Sequence, residues 1–130
     1  GSFIFASELI KKFNYSCKVS FVKLSSYQGV SSTGIIKELI GLNENLKEKD
    51  VIIVEDIVDT GETVSNIVRN ISKLNPRSIE IATLLFKPNA YKKDIPIKYR
   101  ALDVGNEFLV GFGLDYNGLG RNLNEIYIVD

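Results

Sequence analysis

Apolar residues recur with two different spacings along this chain, and together these predict helices that separate strands. A spacing of three to four residues predicts helices over 3–13 and 63–74, and the Asn75-Pro76 pair favours an end to the second. Alternating or continuous apolar runs predict strands over 18–24, 35–40, 51–55, 79–86, 99–104, 108–111 and 126–129. Strand, helix and strand in succession indicate an α/β fold with a parallel sheet.

Two polar segments interrupt this pattern and predict loops. Residues 25–34 combine Ser, Thr, Gln and Gly, and they have so little to bury that we expect a mobile loop. Pro88 and Pro96 bracket a second segment, which we expect at the surface. The sequence shows no internal repeat or linker, so we expect one domain over residues 1–130.

Composition narrows the chemistry more than it narrows the fold. The 130 residues carry 16 basic and 16 acidic side chains, and a net charge of zero gives no overall attraction to nucleic acid or to an anionic membrane. The absence of histidine excludes Ser-His-Asp and Cys-His catalysis, and one cysteine cannot form an internal disulfide. A general base near neutral pH must then be a carboxylate, a lysine, a tyrosine or the thiol. No apolar run reaches the ~20 residues of a membrane span, and we expect a cytoplasmic protein.

The segment 51–63 has the most informative arrangement of residues. A buried strand ends in Glu55 and Asp56, Asp59 follows with a Thr-Gly turn, and a helix begins next. Ligands of open α/β sheets bind outside the carboxyl ends of the strands, and N–H groups at a helix N-terminus bind phosphate. Gly61 allows close backbone approach. Three acids would repel a phosphate unless other groups lie between them, and Mg²⁺ and sugar hydroxyls fit that requirement. The arrangement indicates a phosphorylated ribose with a metal ion nearby. A strand end followed by a turn and a helix N-cap is the alternative.

These residues resemble the phosphoribosyl-pyrophosphate signature of the type I phosphoribosyltransferases, most of all the hypoxanthine (hypoxanthine-guanine) branch. Other segments resemble further motifs of this family: 1–3 the pyrophosphate loop, 24–34 the flexible catalytic loop, 83–88 the purine-contacting strand end, and 108–117 with 121–123 the base-binding segment. The run Val-Gly-Phe-Gly-Leu-Asp-Tyr-Asn at 110–117 is the most specific, because it separates this branch from orotate and uracil relatives.

The resemblance implies a parallel-sheet type I phosphoribosyltransferase fold with flanking helices, from which the N-terminal strand and part of the hood are absent. It implies Mg²⁺-dependent transfer of ribose 5-phosphate from phosphoribosyl pyrophosphate to hypoxanthine or guanine, which gives IMP or GMP and pyrophosphate in purine salvage. It also implies a homodimer or homotetramer. Gly1-Ser2 fits the family pattern, although cloning also leaves this pair. The relative use of hypoxanthine, guanine and xanthine stays open.

The resemblance assigns several roles within segment 51–63. Asp59 would act on the purine N7 proton as general base or acid, and Glu55 and Asp56 would hold the ribose hydroxyls and the Mg²⁺ shell. Because an acid beside a phosphate is unfavourable, we expect the Glu62 side chain to point away. The 5′-phosphate would bind a continuous stretch made of Ile57, Val58, Asp59, Thr60, Gly61, Glu62 and Thr63.

The resemblance assigns the remaining roles to other segments. Lys87 would bind the 6-oxo oxygen and select 6-oxopurines over adenine, although a lysine at a strand end is ordinarily a surface residue. Phe108 would stack on the purine, with a core aromatic as the alternative, and Leu109 would contribute backbone contacts. Asp115 would lie near the base and help to bind a second Mg²⁺. The last assignments are pyrophosphate binding by Gly1, Ser2 and Arg121, and closure over the reacting centre by Ser26 and Tyr27.

Two other functions stay open from the sequence. Some relatives of this fold are regulators that keep the phosphoribosyl pocket and bind nucleic acid, for which a local basic patch would be needed. A receiver-type signalling domain also carries acids at strand ends, but its phospho-acceptor aspartate does not need a Thr-Gly-x-Thr beside it. The zero net charge and the set Lys87, Phe108 and Asp115 favour the transferase over the regulator.

Overall fold

The computed structural model describes residues 1–27 and 36–129, with the backbone alone described at 25–27 and 36–39. Two helices and seven strands follow one another within these ranges. They are α1 (Phe3–Ile10), β1 (Lys23–Tyr27), β2 (Ile36–Ile40), β3 (Asp50–Val58), α2 (Glu62–Ser72), β4 (Ser78–Phe86), β5 (Tyr99–Asp103), β6 (Phe108–Val110) and β7 (Tyr127–Val129). Neither helix is long and apolar enough to cross a membrane.

The three central strands form one sheet in the order β3-β4-β5. The Arg77 amide donates to the Lys49 carbonyl (2.8 Å) before β3 and β4, and the Lys87 amide donates to the Val58 carbonyl (3.0 Å) at their other ends. Because like ends meet, β3 and β4 run in the same direction, and β4 and β5 also pair in parallel. The predicted α/β fold with a parallel sheet is confirmed, and the carboxyl ends of β3 and β4 lie together.

A polar cluster fixes the register at the amino ends of β3 and β4. The Asp50 carboxylate accepts hydrogen bonds from Arg77 Nε (2.9 Å) and Ser78 Oγ (2.7 Å), and Arg77 Nη2 also contacts it. These bonds, first from Arg77 and then from Ser78, lower the pKa of Asp50 to about 2. Since the strands are parallel, a register set at this end also sets which residues meet at the other end.

The chain divides into two compact units, which are described separately. The first unit comprises Gly1–Tyr15, Ile52–Gly61 and the chain from Glu80 onward, and the second comprises the described parts of Ser16–Val51 and Glu62–Ile79. In the second unit, one face of α2 is buried, with Val64, Ile67 and Ile71 on it. The apolar core of the first unit contains Ile53, Val58, Ile81, Ala82, Leu85, Phe86 and Leu114. The expectation of one domain stays a prediction.

Two predicted elements lose three or more of their predicted residues in the structure. The strand predicted over 18–24 begins only at Lys23, because a strand needs a backbone partner, and β2 pairs with Lys23–Tyr27. The apolar side chains of Val19 and Phe21 are correspondingly exposed. Residues 25–27, which we expected in a mobile loop, therefore belong to β1, and the rest of that predicted loop lies outside the described residues. The helix predicted over 3–13 ends at Ile10, where bonds between residues three apart tighten its last turn.

Candidate active site

A cavity of about 330 Å³ lies in the first unit at the carboxyl ends of β3 and β4. This volume is typical of small-molecule sites, which also favour this edge of an open α/β sheet. The lining side chains and backbone come from Gly1, Asp56, Ile57, Asp59, Lys87, Phe108, Leu109, Leu114, Asp115 and Arg121. All of these except Leu114 have a role predicted from the sequence. The only sequence signal for Leu114 was its place inside the specific 110–117 run.

Lys87 and Asp59 form an ion pair inside this cavity. Lys87 Nζ lies 3.0 Å from Asp59 Oδ2, and the Lys87 side chain is only 8% exposed, whereas that of Asp59 is 49% exposed. The expectation that an isolated strand-end lysine lies at the surface is wrong here, because the Lys87 backbone continues the sheet by bonding to Val58. The pair puts a donor-only cation and a carboxylate side by side, facing the same space.

Glu55 and Asp56 are adjacent carboxylates inside β3, which continues beyond the predicted strand end to Val58. Asp56 is 14% exposed, and its Oδ1 accepts a hydrogen bond from the Ile57 amide (2.9 Å). Burial, followed by the negative charge of Asp56, raises the pKa of Glu55 to about 7. Glu55 is not among the cavity-lining residues, so of this pair only Asp56 faces the cavity.

Gly1 lies directly against the Asp56 carboxylate. A Cβ added to Gly1 would lie 1.6 Å from Asp56 Oδ2, so only glycine fits at this position in this arrangement. The Gly1 carbonyl in turn contacts Gly113, where an added Cβ would lie 2.1 Å from it. The structure thus brings Gly1 to the cavity, while Ser2 stands at the N-cap position of α1 without a side-chain capping bond and does not line the cavity.

A left-handed turn at residues 111–113 aims the following segment at the cavity. Gly111, Phe112 and Gly113 have φ values of 103°, 51° and 99°, and left-handed backbone of this kind favours glycine. The amide of Gly111 and the carbonyl of Leu114 bond across the turn at 3.0 Å. The turn buries the Leu114 side chain and presents Asp115 to the cavity.

Asp115 and Arg121 hold each other on this side of the cavity. Arg121 Nη2 lies 2.7 Å from Asp115 Oδ1, and Arg121 Nη1 donates to the Gly113 carbonyl at 2.7 Å. The other carboxylate oxygen of Asp115 accepts a hydrogen bond from the Gly118 amide (2.7 Å). The guanidinium is therefore fixed in orientation, with the rest of its planar fork available to an anion.

Phe108 presents an exposed aromatic ring at the cavity. Its side chain is 52% exposed, and its ring packs edge-on against Tyr116 with centroids 5.6 Å apart. The alternative of a core aromatic is therefore wrong. The backbone of the neighbouring Leu109 pairs with Ile128 between β6 and β7, and this pairing holds Leu109 in place beside Phe108.

The other predicted site residues lie outside this cavity. Gly61 is buried with φ 87°, Val58 is 1% exposed, and Thr60 is exposed in the turn between them. Glu62 and Thr63 are exposed in the first turn of α2, and they belong to the second unit. Ser26 and Tyr27 have only their backbone described, in β1, so closure by their side chains stays a prediction.

The donor set can be compared with the needs of a divalent ion. Among the side chains that the structure describes, no group of three or more from Asp, Glu, His or Cys is placed to hold a metal by itself. Mg²⁺ is commonly held by one or two carboxylates, together with waters and the phosphates of its substrate. Asp56 and Asp115 are the carboxylates besides Asp59 that line the cavity, and one or two such ligands are what Mg²⁺ needs from the protein, so the residues present fit this ion.

The raised pKa of Glu55 predicts a dependence of stability on pH. Between pH 4.5 and about 7 the folded chain keeps a proton that the unfolded chain loses, so the free energy of unfolding falls as pH rises through this window. The fall amounts to about 3 kcal/mol in total. We expect Glu55→Gln to abolish this part of the slope in urea unfolding curves recorded with EDTA at pH 5, 6, 7 and 8. Glu107→Gln, at an exposed position, is the control, and a Glu55→Gln slope equal to that of the unmodified chain would contradict the prediction.

Comparison with known proteins gives a consistent result. The family described as "Phosphoribosyl transferase domain" matches residues 1–117, which include segments of both compact units. A hypoxanthine-guanine phosphoribosyltransferase of Staphylococcus epidermidis is 44% identical over 124 residues, which cover 95% of this chain and 69% of that protein. A hypoxanthine phosphoribosyltransferase structure from Staphylococcus aureus has a TM-score of 0.85 at 40% identity, and the match covers 100% of this chain and 71% of the Staphylococcus aureus chain. A hypoxanthine-guanine phosphoribosyltransferase structure from Bacillus anthracis, with HEPES in its active site, has a TM-score of 0.86 at 32% identity and coverages of 100% and 77%.

Proposed function

Because the chain belongs to the phosphoribosyltransferase family, we propose that it transfers ribose 5-phosphate from phosphoribosyl pyrophosphate to hypoxanthine or guanine. The products are IMP or GMP and pyrophosphate, and the reaction serves purine salvage. The observation that carries this proposal is the ion pair of Lys87 and Asp59 inside the cavity, because it places together the two groups that a 6-oxopurine requires.

Lys87 and Asp59 divide the recognition of the purine between them. The Lys87 ammonium donates to the 6-oxo oxygen, and it has no acceptor to offer to the amino group of adenine. Asp59 accepts the proton from N7 as another ring nitrogen attacks the ribose carbon and pyrophosphate leaves. Their 3.0 Å contact holds both groups in place before the purine arrives, which lowers the cost of ordering them.

Other residues suit the purine ring, the pyrophosphate and the 5′-phosphate. The exposed Phe108 ring offers a stacking face to the purine. Arg121, oriented by Asp115 and the Gly113 carbonyl, can bind pyrophosphate beside Gly1. Positive φ at Gly61, followed at once by α2, suits the proposed binding of the 5′-phosphate to backbone amides of segment 57–63.

Mg²⁺ is part of this proposal. Glu55 and Asp56 would hold one ion together with the ribose hydroxyls, and Asp115 would help to hold a second. When bound, the ion neutralises the charge that develops on the departing pyrophosphate. The proposed assembly is a homodimer or homotetramer, as in the family that the sequence resembles, and the proposed location is the cytoplasm.

The nucleic-acid-binding regulator is not favoured as an alternative. The relatives reported above bear enzyme names, and Lys87, Phe108 and Asp115 meet around one small-molecule cavity. A cavity of about 330 Å³ fits a purine and a sugar far better than a strand of nucleic acid.

A product assay with four bases tests the proposed function. We expect the purified protein, supplied with Mg²⁺ and phosphoribosyl pyrophosphate, to form nucleotides from hypoxanthine or guanine. Xanthine is assayed in parallel to place it relative to the other two. Adenine should be used with a kcat/KM at least about a hundredfold lower, because the site offers its amino group a donor. If folded protein forms no nucleotide from hypoxanthine or guanine, the proposed function is wrong.

A further inference from the structure

The segment that follows β4, residues 87–95, is fastened to the turn that follows β3. The Lys87 amide bonds to the Val58 carbonyl at 3.0 Å, and the Lys92 amide bonds to the Thr60 carbonyl at 3.2 Å. We call residues 87–95 the buttress loop and residues 59–61 the phosphate turn. The Lys92–Thr60 backbone bond and the Lys87–Asp59 ion pair join these two segments directly, so the position of one depends on the other.

Tyr91 and Lys93 of the buttress loop pack against Gly61 of the phosphate turn. A Cβ added to this glycine would lie 2.5 Å from Tyr91 Cε2 and 2.7 Å from Lys93 Cγ. The Tyr91 ring thus occupies the place where a side chain of residue 61 would be. Gly61 is buried under this contact, although its neighbours Thr60 and Glu62 in the chain are exposed.

Tyr91 is itself held from three directions. Its ring packs edge-on against Phe86 with centroids 5.2 Å apart, and its backbone amide bonds to the Lys87 carbonyl at 3.0 Å. Its hydroxyl donates to the Ile95 carbonyl at 2.6 Å. Burial, followed by the charge of Asp94, raises the pKa of Tyr91, so the hydroxyl keeps the proton that it donates.

We propose that Tyr91 is a positioning residue, which holds the phosphate turn in the conformation that binds the 5′-phosphate. Glycine at position 61 is needed for the positive φ and the close packing, but glycine also gives the turn the greatest freedom to leave that conformation. A flat ring pressed on Gly61 removes this freedom before the substrate arrives. Tyr91 does not line the described cavity, so it acts through Gly61.

This inference rests on the proposed function, in which segment 57–63 binds the phosphate. We expect Tyr91→Ala to raise the KM for phosphoribosyl pyrophosphate and the Kd for ribose 5-phosphate about tenfold, while the KM for hypoxanthine changes less than about twofold. Tyr91→Phe keeps the ring on Gly61 and should restore both constants to near the unmodified values. If Tyr91→Ala does not fold, Tyr91→Leu serves in its place, since it keeps apolar volume but not the flat ring.

A control separates positioning from loss of stability. Ile71→Val removes a buried methyl group at the end of α2 opposite the phosphate turn, so it should destabilise the fold but leave the Kd for ribose 5-phosphate unchanged. Hydrogen exchange of peptides covering residues 58–62 should accelerate in Tyr91→Ala and not in Ile71→Val. Unchanged exchange and an unchanged Kd in folded Tyr91→Ala would overturn the inference, as would an unmodified protein that does not bind ribose 5-phosphate.

The binding readout also separates this inference from the proposed function. An unmodified protein that binds ribose 5-phosphate through a Tyr91-dependent turn, yet forms no nucleotide from hypoxanthine or guanine, would refute the proposed reaction and support the positioning role. If Tyr91→Ala forms IMP normally, with an unchanged KM for phosphoribosyl pyrophosphate, the proposed reaction is supported and the positioning role of Tyr91 is refuted.

Discussion

Replacing Lys87 by methionine is expected to lower kcat/KM for hypoxanthine by about two to three orders of magnitude, because the purine loses the charged donor to its 6-oxo oxygen. Methionine retains most of the volume and apolar length of lysine, so the buried position stays filled. Asp59, which is 49% exposed, keeps its hydration when its partner is removed, and we therefore expect little loss of stability. The measurement is steady-state kinetics with hypoxanthine and adenine, accompanied by a urea unfolding curve.

The ratio of kcat/KM for hypoxanthine to kcat/KM for adenine tests the role of Lys87 more sharply than either value alone. The ammonium opposes the amino group of adenine, so its removal should narrow the preference for hypoxanthine even though all rates are low. Lys98→Met is the matched control, because Lys98 forms an exposed ion pair with Glu80 at 3.1 Å and is not among the cavity-lining residues. An unchanged ratio in folded Lys87→Met would show that Lys87 does not read the 6-position.

Sequence patterns predict the strand that leads to Lys87, but they do not predict that the Lys87 side chain is buried. The β-branched run before Glu55 and the apolar run before Lys87 predict two buried strands, and parallel pairing predicts that their ends meet. Nothing local to Lys87 predicts a buried ammonium, because a lysine followed by proline is ordinarily solvated. The burial results from long-range pairing with Val58 and Asp59, some 28 residues away in the chain.

Two other differences have similar physical causes. The alternation at 18–22 is typical of a strand, but a strand forms only where another backbone is available, and β2 pairs instead with Lys23–Tyr27. Leu114 was missed because its burial depends on the left-handed turn at 111–113, in which Phe112, a non-glycine residue, also has positive φ. The two glycines predict a turn, but the bonds that close it come from Leu114, Arg121 and Leu123.

Replacing Asp59 by asparagine is expected to lower kcat about a hundredfold, at the lower end of what a positioned proton acceptor contributes. The side chain keeps its shape, and its amide oxygen still accepts a hydrogen bond from Lys87, so the cavity wall should remain in place. Segment 57–63 binds the 5′-phosphate through its backbone in the proposed function. The Kd for phosphoribosyl pyrophosphate should therefore change by less than about twofold.

The comparison between kcat and Kd is what tests the role of Asp59. Asp103→Asn is the matched control, because Asp103 is an exposed carboxylate in an ion pair with Arg100 (3.3 Å) and is not among the cavity-lining residues. It should leave both constants unchanged. If Asp59→Asn weakens phosphoribosyl pyrophosphate binding as much as it lowers kcat, then the carboxylate holds the turn or the substrate and does not act in proton transfer. A loss confined to kcat instead requires that the charge of Asp59 matter only as the purine nitrogen reacts.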